Sequence, residues 1–287
     1  LVCLSSLNSP LKKLPLFNGS TEKNLENFLE YLSKLNYNLK SNLKSVGQIQ
    51  IIKNKKSILY FDSGEPPTHK LSKDYQSGPL SFEYSNDNEK IITNCGYGKR
   101  ISKKIQLLSK FTSAQSTLCI NNTSVVKFKR NSLINKAYGS TISNSFKILD
   151  VDRLENKTNI IISATHNAYL DKFGYLHKRT IKFLKKNNEI EGDDQLIKKN
   201  GSSNVGFSIR FHLYPGINTV RTVSGKSILL QIKKNKSWIF SSENQKINIE
   251  KSLFLGGNKV LNSECIVIYG NTEDEDVNIK WKLKKAS

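Results

Sequence analysis

Apolar side chains recur at every second position from residue 48 to the C terminus. Leu80, Phe82 and Tyr84 alternate with Ser81, Glu83 and Ser85, and Ile228, Leu230 and Ile232 share a face. Phe207, Ile209, Phe211 and Leu213 alternate with Ser208, Arg210, His212 and Tyr214, and Val277, Ile279, Trp281 and Leu283 alternate with Asn278, Lys280, Lys282 and Lys284. A period of two places successive side chains on opposite faces of a strand, so these runs predict antiparallel strands with one face buried. Turn-forming clusters separate them at Asn86–Glu89, Lys185–Glu189, Asn200–Gly201, Lys233–Lys236 and Asn271–Asp276. About a dozen strands at this spacing predict a mainly β chain built as a large antiparallel β-sandwich.

The first 46 residues read differently. Residues 1–20 show no period. From 21 to 45, Leu25, Phe28, Leu29, Leu32, Leu35, Leu39 and Leu43 recur at steps of three and four, the stripe of an amphipathic helix. Ser20 or Thr21 can cap its start, and Val46-Gly47 can end it. A lone helix with an apolar face needs a partner surface. We therefore divide the chain into 1–46, the remainder of a helical domain, and 47–287, the sandwich. Beyond residue 50 the only helical signal is a weak one at 101–110.

Composition adds a charge. The 287 residues carry 45 Lys and Arg against 24 Asp and Glu, a net +21, and only six of the cations are Arg. Such an excess favours anionic partners, although a chain rich in Lys, Asn and Ile also arises without any binding role. The lysines are spread along the chain, and no zinc-finger, basic-zipper or RNA-recognition pattern accompanies them, so no specific nucleic-acid function is expected. No run approaches the length of apolar residues that crosses a bilayer as a helix. Met is absent and the chain begins with Leu1, which reads as a piece of a longer protein lacking its N terminus. Cys3, Cys95, Cys119 and Cys265 show neither metal spacing nor a disulfide framework. The sequence is silent on oligomeric state.

The four histidines are 69, 166, 177 and 212. His69 follows Pro66-Pro67 and reads as a loop residue. His177 and Arg179 share a face with Ile181 and Phe183, which favours packing. His166, before Asn167 near a turn, is a candidate to face a cleft. Arg210, His212 and Tyr214 share the polar face of one strand, a row suited to an anionic sugar, since Arg grips carboxylate or sulfate through two parallel bonds. The acidic run Glu273–Asp276 reads as a solvated turn.

Three segments form an ordered series: Asp74-Tyr75-Gln76-Ser77-Gly78-Pro79-Leu80-Ser81-Phe82-Glu83, Asn94-Cys95-Gly96, and Ala114-Gln115-Ser116-Thr117-Leu118. Their order and spacing resemble the signature of the heparinase II/III-type polysaccharide lyases, in which His-x-His-x-Asp, Asp-x-Gly and His-Asn/Ser-Thr-Leu follow one another. The stretches His166–Tyr169, Phe173–Arg179, Glu191–Asp194, Ile209–Leu213 and Ile279–Leu283 extend the resemblance over most of 47–287. It implies a C-terminal sandwich preceded by an α/α toroid, of which 25–43 would be the last helix, with substrate in the cleft between the two. It also implies β-elimination on acidic, uronate-containing glycans in the periplasm or cell envelope of a bacterium. By position, the catalytic His corresponds to Asp74, with Tyr75 beside it as the nearest other titratable group. The zinc ligands correspond to Gln76, Asn94 and Gln115. Carboxamides are poor zinc ligands, so zinc is expected to be lost and no cofactor is expected. Activity then becomes doubtful, and a non-catalytic module that binds or scaffolds anionic polysaccharide is the alternative. Half the cleft lies outside this chain, so catalysis by the piece alone is not expected.

Overall fold

The computed structural model describes residues 1–37, 41–129, 140–201, 204–234 and 236–286. In chain order its strands begin with β1 (Ser45–Val46), β2 (Ile49–Asn54), β3 (Ser57–Asp62), β4 (Phe82–Asn86), β5 (Glu89–Thr93) and β6 (Leu118–Ile120). There follow β7 (Ile148–Glu155), β8 (Asn159–His166), β9 (Tyr175–Leu184), β10 (Glu189–Lys198), β11 (Gly206–Leu213) and β12 (Asn218–Arg221). The last five are β13 (Ser227–Lys233), β14 (Lys236–Ser242), β15 (Ile247–Phe254), β16 (Leu261–Asn271) and β17 (Val277–Lys285). One sheet runs β1-β2-β3-β4-β5-β11-β16-β15, with β6 also paired to β11; the other runs β12-β13-β14-β17-β10-β9-β8-β7. All the pairings are antiparallel. The chain is thus the mainly β sandwich that its alternation predicts.

The predicted inward faces meet in one core. Phe207, Ile209, Phe211 and Leu213 from β11 oppose Ile279, Trp281 and Leu283 from β17. The Trp281 indole stacks on Phe82 across the sheets at 5.4 Å and meets Phe211 edge-on at 4.8 Å. Gly192 on β10 makes room for it: a Cβ there would lie 2.1 Å from the indole.

The N-terminal region departs from the helical reading. The helix α2 (Glu26–Lys34), which follows the short α1 (Val2–Leu7), buries Leu29 and Leu32 but leaves Phe28 and Tyr31 exposed. Asn36 adopts a left-handed φ of 57°, a conformation that ends helices, and by Ser45 the chain is already a strand; Leu39 lies outside the described residues. The first 25 residues lie on the outer face of the first sheet. Tyr60 donates to the Leu7 carbonyl (2.8 Å), Lys53 to that of Ser5 (3.2 Å), and Leu16 is fully buried. The weak signal at 101–110 becomes α3 (Lys103–Leu108), capped by Ser102, and a single turn, α4 (Leu170–Phe173), precedes β9.

The core also holds charge. Arg179 on β9 and Asp194 on β10 are fully buried and paired bidentately, Nε to Oδ1 at 2.8 Å and Nη2 to Oδ2 at 3.0 Å. Trp281 Nε1 and His177 Nε2 donate to the same carboxylate, each at 2.8 Å. Burial pushes the Asp194 carboxyl up, but the guanidinium and the imidazole outweigh it and hold the pKa at about 2. Arg179 Nη1 then crosses to the other sheet and donates to the carbonyls of Leu80 (2.9 Å) and Ser116 (2.8 Å). Leu80 is held at a φ of 58°, so the strand expected to start there starts at Phe82. An unstrained Leu avoids that region by roughly 1–2 kcal/mol; its N–H bond to Asp62 and its carbonyl bond to Arg179 hold it there.

His166 completes this network. Its Nδ1 accepts the Ala168 N–H (3.2 Å), which puts the ring proton on Nε2, aimed at His177 Nδ1 3.1 Å away. Both rings are thereby neutral, and burial lowers both pKa values. His177 and Arg179 pack inside as read from their face. His166 is a correction: it sits between the sheets and faces no cleft.

Removing one partner of a buried ion pair strands the other without solvation. Asp194→Asn is expected to lower unfolding free energy by about 3–5 kcal/mol in urea titrations. A loss below about 1 kcal/mol would show that Arg179 has other compensation.

Candidate functional site

The three signature segments cross one end of the sandwich together. Gln76, Asn94 and Gln115 are all buried there. Gln76 Nε2 donates to the Ser109 carbonyl (2.9 Å) and the Gly96 carbonyl (3.3 Å), and its Oε1 accepts the Gly19 N–H (3.1 Å). Gln115 Nε2 donates to the same Ser109 carbonyl (2.9 Å). Asn94 Oδ1 accepts the Ser116 N–H (2.9 Å), and its Nδ2 donates to the Leu16 carbonyl (3.3 Å). Three carboxamides thus converge and stitch together residues 16–19, the 94–96 loop and the 109–116 segment. Gly96, at a φ of 85°, lets this crossing close up, since a Cβ there would meet the Gly256 backbone at 2.6 Å.

These residues do not fit a zinc ion. The side-chain oxygens of Gln76 and Asn94 already accept backbone N–H groups, and neutral amides leave the charge of a dication uncompensated. Among the described residues, no group of three or more His, Cys, Asp and Glu is arranged to hold a metal.

Asp74 ends a short turn (His69–Asp74) and is half-buried. Its Oδ1 accepts the Tyr97 hydroxyl at 2.8 Å, and Gln106 donates to that same hydroxyl. Behind it lies Lys110, whose buried ammonium donates to the carbonyls of Lys73 (2.8 Å) and Ser140 (2.6 Å) and sits 4.5 Å from the Phe128 ring centroid. Burial lowers the Lys110 pKa to about 8, with Asp74 opposing. Neither Tyr97 nor Lys110 stood out in the sequence, because each gains its meaning only through a partner distant along the chain.

Tyr75 points the other way. Its ring joins the inter-sheet core, its hydroxyl has no partner among the described residues, and burial with Asp62 nearby raises its pKa well above the usual value. It is therefore corrected from a group at the site to a core residue. Asp62 is itself pushed up by burial to about 7.

Arg210, His212 and Tyr214 do share a face, but His212 is buried and the two flanking side chains are partly covered. His212 is buried: Nε2 donates to the Ser113 carbonyl (3.0 Å), and Nδ1 accepts the Ser252 hydroxyl (2.8 Å). Burial lowers its pKa from 6.5 to about 4, the Ser113 bond opposing. A folded-state pKa below the unfolded one means that the neutral ring stabilises the fold above about pH 6.5, and that this is lost as pH falls toward 4. Tyr214 donates to Glu22 (3.0 Å) and accepts from Lys13 (3.1 Å), so the N-terminal segment holds it. Arg210 is partly exposed and bonds Ser208. The His69 side chain lies outside what is described. Beneath the site, a buried Glu83 pairs with Lys90 (3.0 Å) and accepts from Thr93 and the Asn94 N–H.

The convergence of the amides yields a metal test. The wild-type chain is expected to keep its melting temperature in excess chelator. A Gln76→His, Asn94→Asp, Gln115→His variant is expected to take up one zinc per chain, measured by elemental analysis. Chelator-induced unfolding of the wild type, or no uptake by the variant, would contradict this geometry.

The fold matches those of solved lyases. Heparan sulfate lyase HepC from Pedobacter heparinus superposes with a TM-score of 0.76 at 14% identity, covering 98% of this chain and 45% of that one. Heparinase III gives 0.74 at 12%, covering 98% and 47%. At such identities the likeness is one of fold. A Caulobacter vibrioides protein called FtsZ-localized protein C is 22% identical over 234 residues, 78% of this chain and 40% of that protein. The chain therefore spans less than half the length of these relatives. The model of the heparinase II/III-like C-terminal domain matches residues 39–282. With most of its length matched and its sandwich superposing on theirs, the chain belongs to the heparinase II/III-like C-terminal domain family, a family of polysaccharide-lyase architecture.

Proposed function

We propose that this chain is the sandwich half of a lyase-type protein that holds acidic, uronate-bearing polysaccharide in the cell envelope, and that this half supplies no general base for β-elimination. The carrying observation is that no imidazole among the described side chains stands at the site. Among the described side chains, every histidine is buried and committed to a structural bond, and the position matching the family's catalytic His is Asp74, bonded to Tyr97.

The chemistry explains why this matters. β-Elimination needs the uronate carboxylate neutralised, so that the C5 proton becomes acidic, a base to remove it, and an acid for the leaving oxygen. A carboxylate at Asp74 repels the substrate carboxylate instead of neutralising it, and its Oδ1 is already committed to the Tyr97 hydroxyl. Binding asks less: cations and hydrogen-bond donors suffice. The fold shared with the heparan sulfate lyase from Pedobacter heparinus supports the acidic glycan class.

A second reading, a scaffold that localises with FtsZ, is favoured by the name of the Caulobacter relative alone. Incubation of the full-length protein with uronate polymers separates the readings. Saturable binding without the ultraviolet absorbance of an unsaturated uronate is expected. Appearance of that product, abolished by Asp74→Asn, would overturn the non-catalytic account; no binding to any acidic glycan would leave the scaffold.

A further inference from the structure

The cations are spread along the chain, but the acids are not. Residues 90–149 contain no Asp or Glu and eleven Lys or Arg, about half the net charge. Much of this segment forms the loops at the site end of the sandwich, between β5 and β7. Its structure gathers cations around Asp74. Gln106, one turn after Lys103 in α3, donates to the Tyr97 hydroxyl that bonds Asp74, and Lys110, just past the helix, donates to the Lys73 carbonyl. Arg100 bonds Asn258 at 3.0 Å, which brings the next residue, Lys259, to the same rim.

Lys73, Lys99, Arg100, Lys103, Lys104 and Lys259 are all exposed. Among the described residues, none of the six is ion-paired, whereas Lys147, Lys185, Lys198, Lys282 and Lys285 elsewhere on the surface each hold a carboxylate. A cluster of unpaired like charges repels itself and loses that repulsion when a polyanion arrives. Asp74, which lies beside Lys73, is bonded by Tyr97.

We propose that the cationic rim formed by Lys73, Lys99, Arg100, Lys103, Lys104 and Lys259 is the surface on which the sandwich seats a sulfated or carboxylated glycan chain. The proposal rests on the acidic-polysaccharide reading above and adds the residues that do the holding. The rim suits a glycan better than a single-stranded nucleic acid. Base stacking needs exposed rings, and among the described residues the large exposed aromatic side chains, Phe28, Tyr31, Tyr37 and Tyr269, lie on other elements. Five of the six cations are Lys, point charges that serve scattered sulfates and carboxylates.

The test compares two variants of equal net charge by titration calorimetry with a sulfated uronate oligosaccharide over a range of salt. Lys99→Ser, Arg100→Gln, Lys103→Ser, Lys104→Ser empties the rim. Lys199→Ser, Lys226→Ser, Lys234→Ser, Lys284→Ser removes exposed charges from the second sheet and its turns. The rim variant is expected to bind at least about tenfold more weakly, with a salt slope lower by about 3, and the control to stay within about twofold of wild type. Circular dichroism is expected to show both folded, since every replaced side chain is exposed. Equal weakening in the two variants would reduce the effect to net charge and overturn the rim. So would single-stranded DNA of matched charge binding as tightly and losing as much with the rim variant. If wild type binds no acidic oligosaccharide, the underlying polysaccharide reading falls as well.

Discussion

The buried pair of Arg179 and Asp194 is the constraint on which the rest of this molecule depends. A guanidinium in an apolar interior is tolerable only when its charge is paired and its donors find acceptors. Nε and Nη2 donate to Asp194, and Nη1 donates to the Leu80 and Ser116 carbonyls, just before β4 and β6 of the opposite sheet. Those carbonyls belong to the first and third signature segments. The need to satisfy one buried charge therefore fixes where Gln76 and Gln115 stand, and Leu80 accepts a strained backbone angle as part of the arrangement.

On that frame stand three buried amides, Gln76, Asn94 and Gln115. A metal gathers chain segments by sharing one charge among several ligands. The carboxamides gather them by matching donors to acceptors: two amides meet at the Ser109 carbonyl, and the Gln76 and Asn94 side chains also hold Gly19 and Leu16. The result does not depend on metal supply or on deprotonation of a ligand. The same end carries the exposed cations of the proposed rim.

The sandwich was legible because period-two alternation survives wherever one face is buried, as in Phe207 to Leu213 and Val277 to Leu283. The hairpin turns were legible from their Asn, Asp, Gly and Lys clusters. The helix was overextended because its leucines continue past Asn36, whose left-handed backbone angle stops it. At the site, spacing located the converging amides. It could not show which way adjacent side chains turn, so Tyr75 went to the core while Asp74 stayed at the surface. The Arg210, His212 and Tyr214 row was read correctly as one face, but the N-terminal segment that holds Tyr214 is far away in sequence. The same distance hid Tyr97, Lys110 and the inward role of His166.

Hydrogen exchange measured by mass spectrometry on an Arg179→Met variant tests the central dependence most directly. If the guanidinium positions the signature segments, peptides covering 76–82 and 115–118 lose protection while those from β13 and β14 keep theirs. Unchanged protection across both signature segments would show that they hold their places without the buried charge, and the account built on it would be wrong.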